Sequence, residues 1–426
     1  MTVLIFTAAL LGSMALGMPI AMALVACGLA LMVHMDMFDA SIVAQNLIHG
    51  ADSYPLMAVP FFMLAGHIMN AGGLSKRIIH VAVTLAGHIR GGLGYVTIVA
   101  SCILASLSGS AAADAAAMSA LLFPMMVRSG YDPVRSAGLI ASGSIIGPMV
   151  PPSPLLILFG VTAGLSIVKL FMAAIVPGLM IALGLTVAWW WVARTQNVQV
   201  SRRASWQESL QAIRDGLWAL VMPFIIVFGL KFGIFTPTEA GVVCSVYALF
   251  VSMVVYKELK WSQLPGVFIH AGQAAAVVMF LVAASLVSAW LITVAEIPGE
   301  VIAILQPFMG NKILLMVAIM ILVVVVGTAL DSVPTILILT PVLVPVVVAA
   351  GIDPVYFGVL FIINNAIGLV TPPVGTTLNV VCGVTGVSMD DSIVGVIPFM
   401  IAQLVVLALL VLFPDIVLVP MRLLIG

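Results

Sequence analysis

"SGYDPVRSAGLIASGSIIGPMVPPS" (129–153) has a second version further along the chain, "AGIDPVYFGVLFIINNAIGLVTPPV" (350–374). Asp132 and Asp353, Pro151 and Pro372, Pro124 and Pro345, and Pro177 and Pro398 are each 221 positions apart (353 − 132, 372 − 151, 345 − 124, 398 − 177). Chance pairs apolar residues freely, but it does not place Asp-Pro-Val, Ile-Gly and Pro-Pro at one common spacing. In the same register "SLSGSAAADAAA" (106–117) falls over "GTALDSVPTILI" (327–338). The chain therefore reads as two structural repeats, 1–195 and 216–426, joined by a polar connection at 196–215.

The repeats are built to sit in lipid. Of 426 residues, 63% are hydrophobic and only 7% charged, and the mean hydropathy is +1.30. A soluble domain carries about 25% charged residues. Apolar segments of about 20 residues, enough to cross ~30 Å of hydrocarbon, recur from end to end. The fold class is an all-α polytopic membrane protein. The net charge of −1 says nothing about nucleic acid, and no nucleic-acid partner is expected. The first 33 residues read as a retained membrane segment, since no Lys or Arg precedes them. Cys27, Cys102, Cys244 and Cys382 lie apart in apolar surroundings and read as small hydrophobes. The plainly polar connection, 193–216, holds Arg194, Arg202, Arg203 and Arg214 and is expected in the cytoplasm by the positive-inside rule. Lys257 and Lys260, two spans later, agree, and Lys76, Arg77 and Arg90 suggest a third loop on that side. Trp189, Trp190 and Trp191 beside the basic loop read as interfacial anchors.

Prolines inside such segments need a reason. A mid-helix proline removes a hydrogen bond at about 3 kcal/mol, and hydrocarbon offers the freed carbonyls no water. Each half has two irregular elements: a small-residue, polar kink inside a long apolar run (95–127 and 313–349) and a proline-broken segment beyond it (137–160 and 355–382). A broken helix exposes N–H groups at one stub and carbonyls at the other. Carbonyl oxygens suit a hard cation such as sodium, and helix N-termini suit a carboxylate. Paired breaks at matching places in two repeats point to a transporter's binding site.

The polar residues around these breaks form the candidate sites. Ser106, Ser108, Gly109 and Ser110 lie at the first kink, and Gly147, Pro151, Pro152 and Ser153 at the first break. Gly327, Thr328, Asp331 and Ser332 lie at the second kink, and Thr371, Pro372, Pro373, Gly375, Thr376, Thr377 and Asn379 at the second break. Hydroxyls add neutral oxygen donors without the full penalty of a buried charge, although Ser and Thr in membrane helices also simply back-bond or pack. Asp114 and Asp331 are the carboxylates deepest in apolar runs and are candidates for ion-linked roles, Asp331 alternatively as a helix cap. Thr236 to Glu239 has the form of a capping box. The six histidines show no metal-ligand spacing, and His67 is expected to pack. The chain has no motif for ATP hydrolysis, acyl transfer or metal chemistry, so no enzyme activity and no cofactor is expected.

Beyond this reading, "ASLSGSAAADAAAMSALLFPMM", "GLIASGSIIGPMVPPS", "GIFTPTEAG", "PTILILTPVLVPV" and "GLVTPPVGTTLNVVCGV" resemble the large membrane subunit of the tripartite ATP-independent periplasmic (TRAP) transporters, the DctM-like family. The resemblance implies an inverted-repeat, elevator-type architecture, with a scaffold and a transport domain holding two re-entrant helical hairpins. It implies Na⁺ as the coupling ion and a small organic anion as substrate. A separate four-helix small membrane subunit, a periplasmic substrate-binding protein and membrane lipid are the implied partners, in the bacterial inner membrane. By family logic one sodium lies between the first hairpin tip (Ser106, Ser108, Gly109, Ser110) and Gly147 with Pro151–Ser153. A second lies between Gly327–Thr328 and Thr371–Thr376, with Pro372, Pro373 and Gly375. The substrate falls between the tips, near Ser110, Asp114, Asp331, Ser332, Thr377 and Asn379. Sugar acids such as 2,3-diketogulonate and C4-dicarboxylates both fit the class. A stand-alone sodium- or proton-coupled dicarboxylate- or citrate-type carrier is the alternative within transport.

Overall fold

The Asp-Pro-Val shared by the repeats is a helix start. Asp132 Oδ1 accepts from the Val134 N–H at 2.9 Å, and Asp353 Oδ1 from the Val355 N–H at 2.8 Å. Each is followed by a proline at the first helical position, where its missing N–H costs nothing. From such starts the chain forms helices throughout. The structure is a computed structural model describing residues 2–108, 110–196, 203–372 and 374–425, with the side chains of 3 and 104–108 excepted.

The first half contains α1 (Thr2–Ala15), α2 (Ile20–His34), α3 (Ala40–Ala51), α4 (Ala58–Ala71), α5 (Leu74–Ala86), α6 (Gly92–Ser108), α7 (Ala111–Arg128), α8 (Pro133–Ser144), α9 (Pro154–Thr162) and α10 (Ile167–Ala193). The second contains α11 (Trp206–Lys231), α12 (Pro237–Phe250), α13 (Leu264–Val294), α14 (Ile297–Met309), α15 (Lys312–Ala329), α16 (Ser332–Ala349), α17 (Pro354–Gly368), α18 (Thr376–Thr385), α19 (Met389–Leu412) and α20 (Asp415–Ile425). The repeat spacing places α7 directly over α16, α6 over α15, α8 over α17, α9 over α18 and α10 over α19. No strand occurs among the described residues. Among the described residues, eight helices are long and apolar enough to cross a membrane, or up to ten if each sharply bent pair forms one span.

The halves interlock reciprocally. α7 packs on α18 and α16 on α9; α8 packs on α19 and α17 on α10; α2 packs on α13 and α12 on α4. Each contact and its repeat-mate swap halves, which is the signature of a pseudo-two-fold axis between them. One repeat pair departs from the pattern. Where the second half runs the unbroken α13, the first has α3, a 3₁₀ turn at Tyr54–Met57 and α4. The cause is local: Asp52-Ser53-Tyr54-Pro55 stands in register with Gln273-Ala274-Ala275-Ala276, and Pro55 cannot continue a helix.

The basic loops meet at one end. Arg77 Nη1 pairs with Glu258 Oε1 at 2.6 Å, and its guanidinium lies 3.8 Å from the centre of the Tyr256 ring. Arg90 donates to the Arg194 carbonyl at 3.1 Å. Trp190 and Trp191 are exposed at this end as anchors would be, but Trp189 is fully buried, a correction to its expected role. Its Nε1–H donates to the Gly91 carbonyl at 2.7 Å and its ring stacks on Tyr131. A Cβ at Gly94 would stand 1.9 Å from that indole, so only glycine fits there.

Candidate substrate site

Two hairpins, α6–α7 and α15–α16, turn within the molecule. The first is capped by Ser110, whose Oγ accepts from the Ala113 N–H at 3.3 Å. The second is capped by Asp331, whose Oδ1 accepts from the Ser332 N–H at 2.8 Å, so the capping expected of Asp331 is present. The N-termini of α7 and α16, each carrying a partial positive charge, thereby open on one cavity of about 140 Å³. Ser110 and Ala111 line it from the first hairpin, Asp331 and Ser332 from the second, Pro148 and Pro154 from the first break, and Leu369 from the second. Leu155 and Leu158 of α9, Val59 and Met63 of α4 and Val278 of α13 add apolar wall. No Lys or Arg is among the described lining residues.

The first break is a closed structure. α8 ends at Ser144, a 3₁₀ turn follows at Gly147–Met149, and α9 restarts at Pro154. Gly147, Pro151, Pro152 and Ser153 are all buried, and Ser153 Oγ donates to the Pro148 carbonyl at 2.7 Å. The second break is more open: Thr371 and Pro372 are half-buried and Val374 is exposed. Gly375 has φ +51°, a conformation that favours glycine, and the Thr377 N–H closes the loop onto the Leu369 carbonyl at 3.1 Å. Thr371 Oγ1 back-bonds to Ile367 at 2.7 Å, whereas the buried hydroxyls of Thr376 and Thr377 have no hydrogen-bond partner. Oxygens held this way are available to a cation.

The candidates thus fall in several places. Ser110, Asp331 and Ser332 converge on the cavity. Asp114, buried in the first turn of α7, is on the helix that packs against α18, the helix opened by Thr376 and Thr377. Asn379 is exposed, and its amide donates back to the Val374 carbonyl at 2.7 Å. Thr328 Oγ1 back-bonds to Val325 at 2.8 Å. Gly109, Pro373 and the side chains of Ser106 and Ser108 lie outside the described residues.

Two residues that sequence reasoning passed over pin the second hairpin. Asn364 Nδ2 donates to the Met320 carbonyl of α15 at 2.5 Å, and Asn365 Nδ2 to the Ser332 carbonyl of α16 at 3.4 Å. Asn365 is 1% exposed and its Oδ1 has no partner, as has Ser332 Oγ. The Asn365 Oδ1 would stand 2.9 Å from a Cβ at Gly327, and a Cβ at Gly368 would stand 2.8 Å from the Gly327 backbone. The hairpin and α17 therefore meet backbone to backbone. The signal was legible: two adjacent amides in an apolar run, in register with Gly143 and Ser144.

Comparison with known proteins identifies the family. The family described as "Tripartite ATP-independent periplasmic transporter, DctM component" matches residues 7–416. The 2,3-diketo-L-gulonate TRAP transporter large permease protein YiaN of Escherichia coli is 53% identical over 99% of both chains. The sialic acid TRAP transporter large permease protein SiaM of Vibrio cholerae is 36% identical, covering 98% of this chain and 97% of its own. The YdaH transporter of Alcanivorax borkumensis superposes with a TM-score of 0.66 at 14% identity over 89% of this chain and 90% of its own, a likeness of fold alone. The chain belongs to the DctM family of TRAP transporter large permease components, and is a membrane transport subunit, not an enzyme.

Proposed function

We propose that this chain is the large permease of a sodium-coupled, binding-protein-dependent importer of a small organic anion across the bacterial inner membrane. The observation that carries the reading is the cavity between the two hairpin tips. Two helix N-termini suit a carboxylate there, but Asp331 lines the same space and no Lys or Arg among the described lining residues offsets it. An anion therefore needs cations bound first, and the unpartnered oxygens of Thr376, Thr377, Ser332 and Asn365 are suitable donors. Carbonyls and hydroxyls without a thiolate or imidazole favour a hard ion; among the described residues no group of three or more His, Cys, Asp or Glu is placed to hold a metal.

The repeats are read as inverted in the membrane, with the basic end in the cytoplasm. The hairpins with α8–α10 and α17–α19 form a body that slides past a scaffold of α4 and α13, in elevator fashion. A four-helix small membrane subunit and a periplasmic binding protein complete the assembly. A sugar acid is the favoured substrate, because the relative at 53% identity is named for 2,3-diketo-L-gulonate.

The test is uptake of labelled 2,3-diketo-L-gulonate into vesicles holding the two membrane subunits. Accumulation is expected only with an inward sodium gradient and the binding protein present. Uptake without the binding protein would favour the stand-alone carrier, and uptake driven by a proton gradient alone would end the sodium reading.

A further inference from the structure

Sharing no lining residue with the substrate cavity, α10 and α19 enclose a groove of about 1250 Å³, more than the roughly 300–1,000 Å³ of small-molecule sites. The two helices are repeat-mates that cross closely at one point: a Cβ at Gly184 would stand 3.0 Å from Val406. Small residues there, Gly184 with Ala188 and Ala402, leave a floor over which larger flanking side chains form walls. From Val394 to Leu409 the groove follows α19 for roughly 22 Å, longer than one leaflet's share of about 15 Å of hydrocarbon. Val187 and Ile401 on its walls are more than half exposed.

One end differs from the rest. There the lining changes to Asp132, Arg135, Thr195 and Gln196, at the end where the basic loops and the exposed tryptophans lie. Arg135 Nη1 donates to the Val394 carbonyl at 2.7 Å, which fixes the guanidinium at the groove mouth. Arg135 and Asp132 stand three residues apart at the start of α8, so the mouth presents one positive and one negative group side by side.

We propose that this groove is a binding site for one zwitterionic, amine-bearing phospholipid of the phosphatidylethanolamine class. Its acyl chains lie along the apolar walls, its phosphate meets Arg135, and its ammonium donates to Asp132. A partner helix would match the apolar walls but not the charge doublet at the mouth. The phosphate–guanidinium and ammonium–carboxylate pairs form together only with a zwitterion, and a choline headgroup has no N–H for Asp132.

The full-length protein, washed in mild detergent, is expected to retain about one phosphatidylethanolamine by native mass spectrometry while bulk lipid is stripped. Val187→Trp with Ile401→Trp fills the groove at exposed positions and should abolish retention with an unchanged melting temperature. Arg135→Gln should lower it about fivefold. Asp132→Asn, which keeps the helix cap, should erase the preference for vesicles of phosphatidylethanolamine over phosphatidylcholine or phosphatidylglycerol. Undiminished retention in the double-tryptophan variant, or a wild type without headgroup preference, overturns the proposal. So does a photo-crosslinker at Ile401 that captures a polypeptide instead of lipid.

Discussion

The stretches Gly147–Ser153 and Thr371–Gly375 with their following helices occupy equivalent places in the two repeats, yet they are built differently. The first break is buried, its one hydroxyl tied down on the Pro148 carbonyl, and α9 beyond it is buried from Pro154 to Gly160. The second is partly open, and α18 begins with two threonines whose hydroxyls are unpartnered and ends with exposed positions. Around hairpin 2 the contrast reverses: α17 holds it with Asn364 and Asn365, while the matching Ser144 of α8 only back-bonds to Ile140. Among the described residues, the first repeat shows a fastened break and the second a fastened hairpin. On the proposed reading, the break with open edges and free oxygens is the one suited to gaining and losing an ion.

The comparison is broken most directly at the Gly327–Gly368 contact. Gly368→Val places side-chain atoms against the hairpin backbone and should abolish uptake and lower stability by about 3 kcal/mol; wild-type uptake would mean the hairpin is not held there. Asn365→Ala removes one of the two polar pins and should destabilise by about 2 kcal/mol. It should also raise the sodium concentration for half-maximal uptake, an effect that Asn365→Asp, keeping the acceptor oxygen, should largely spare. Equal sodium dependence in both variants would reduce Asn365 to packing. Ser153→Ala in the closed break should lower the melting free energy by about 1 kcal/mol and leave sodium dependence little changed. Asn379→Ala, at an exposed position, should change stability by less than about 0.5 kcal/mol; a larger change in a denaturation series would show that α18 is less open than its exposure indicates.

The spacing that relates Asp132 to Asp353 and Pro151 to Pro372 carried the organisation of the fold. Proline and aspartate act locally, so helix starts and breaks were written into the chain. The hairpins were legible for the same reason, as serine-, glycine- and aspartate-bearing kinks. What sequence did not disclose depends on which helix faces which. The α4 and α13 walls of the cavity have only apolar residues to offer, and nothing in Val59, Met63 or Val278 marks them among many like them. Trp189 reads as an anchor beside Trp190 and Trp191, because only tertiary packing decides that its ring turns inward against Tyr131. Asn365 was visible as an amide in an apolar run, but its partner across 33 positions at Ser332 was not.

Sodium binding at the open break and the hairpin tips, ahead of substrate, is the step on which the proposed function rests. It is tested most directly by the melting temperature of the purified protein titrated with Na⁺ against K⁺ and choline at constant ionic strength. A ligand held only by the folded state stabilises it by mass action, by about 2.7 kcal/mol at a hundredfold excess over its dissociation constant, and so raises the midpoint. A sodium-selective rise that Thr376→Ala reduces is expected. An identical response to all three cations, unchanged in that variant, would contradict it.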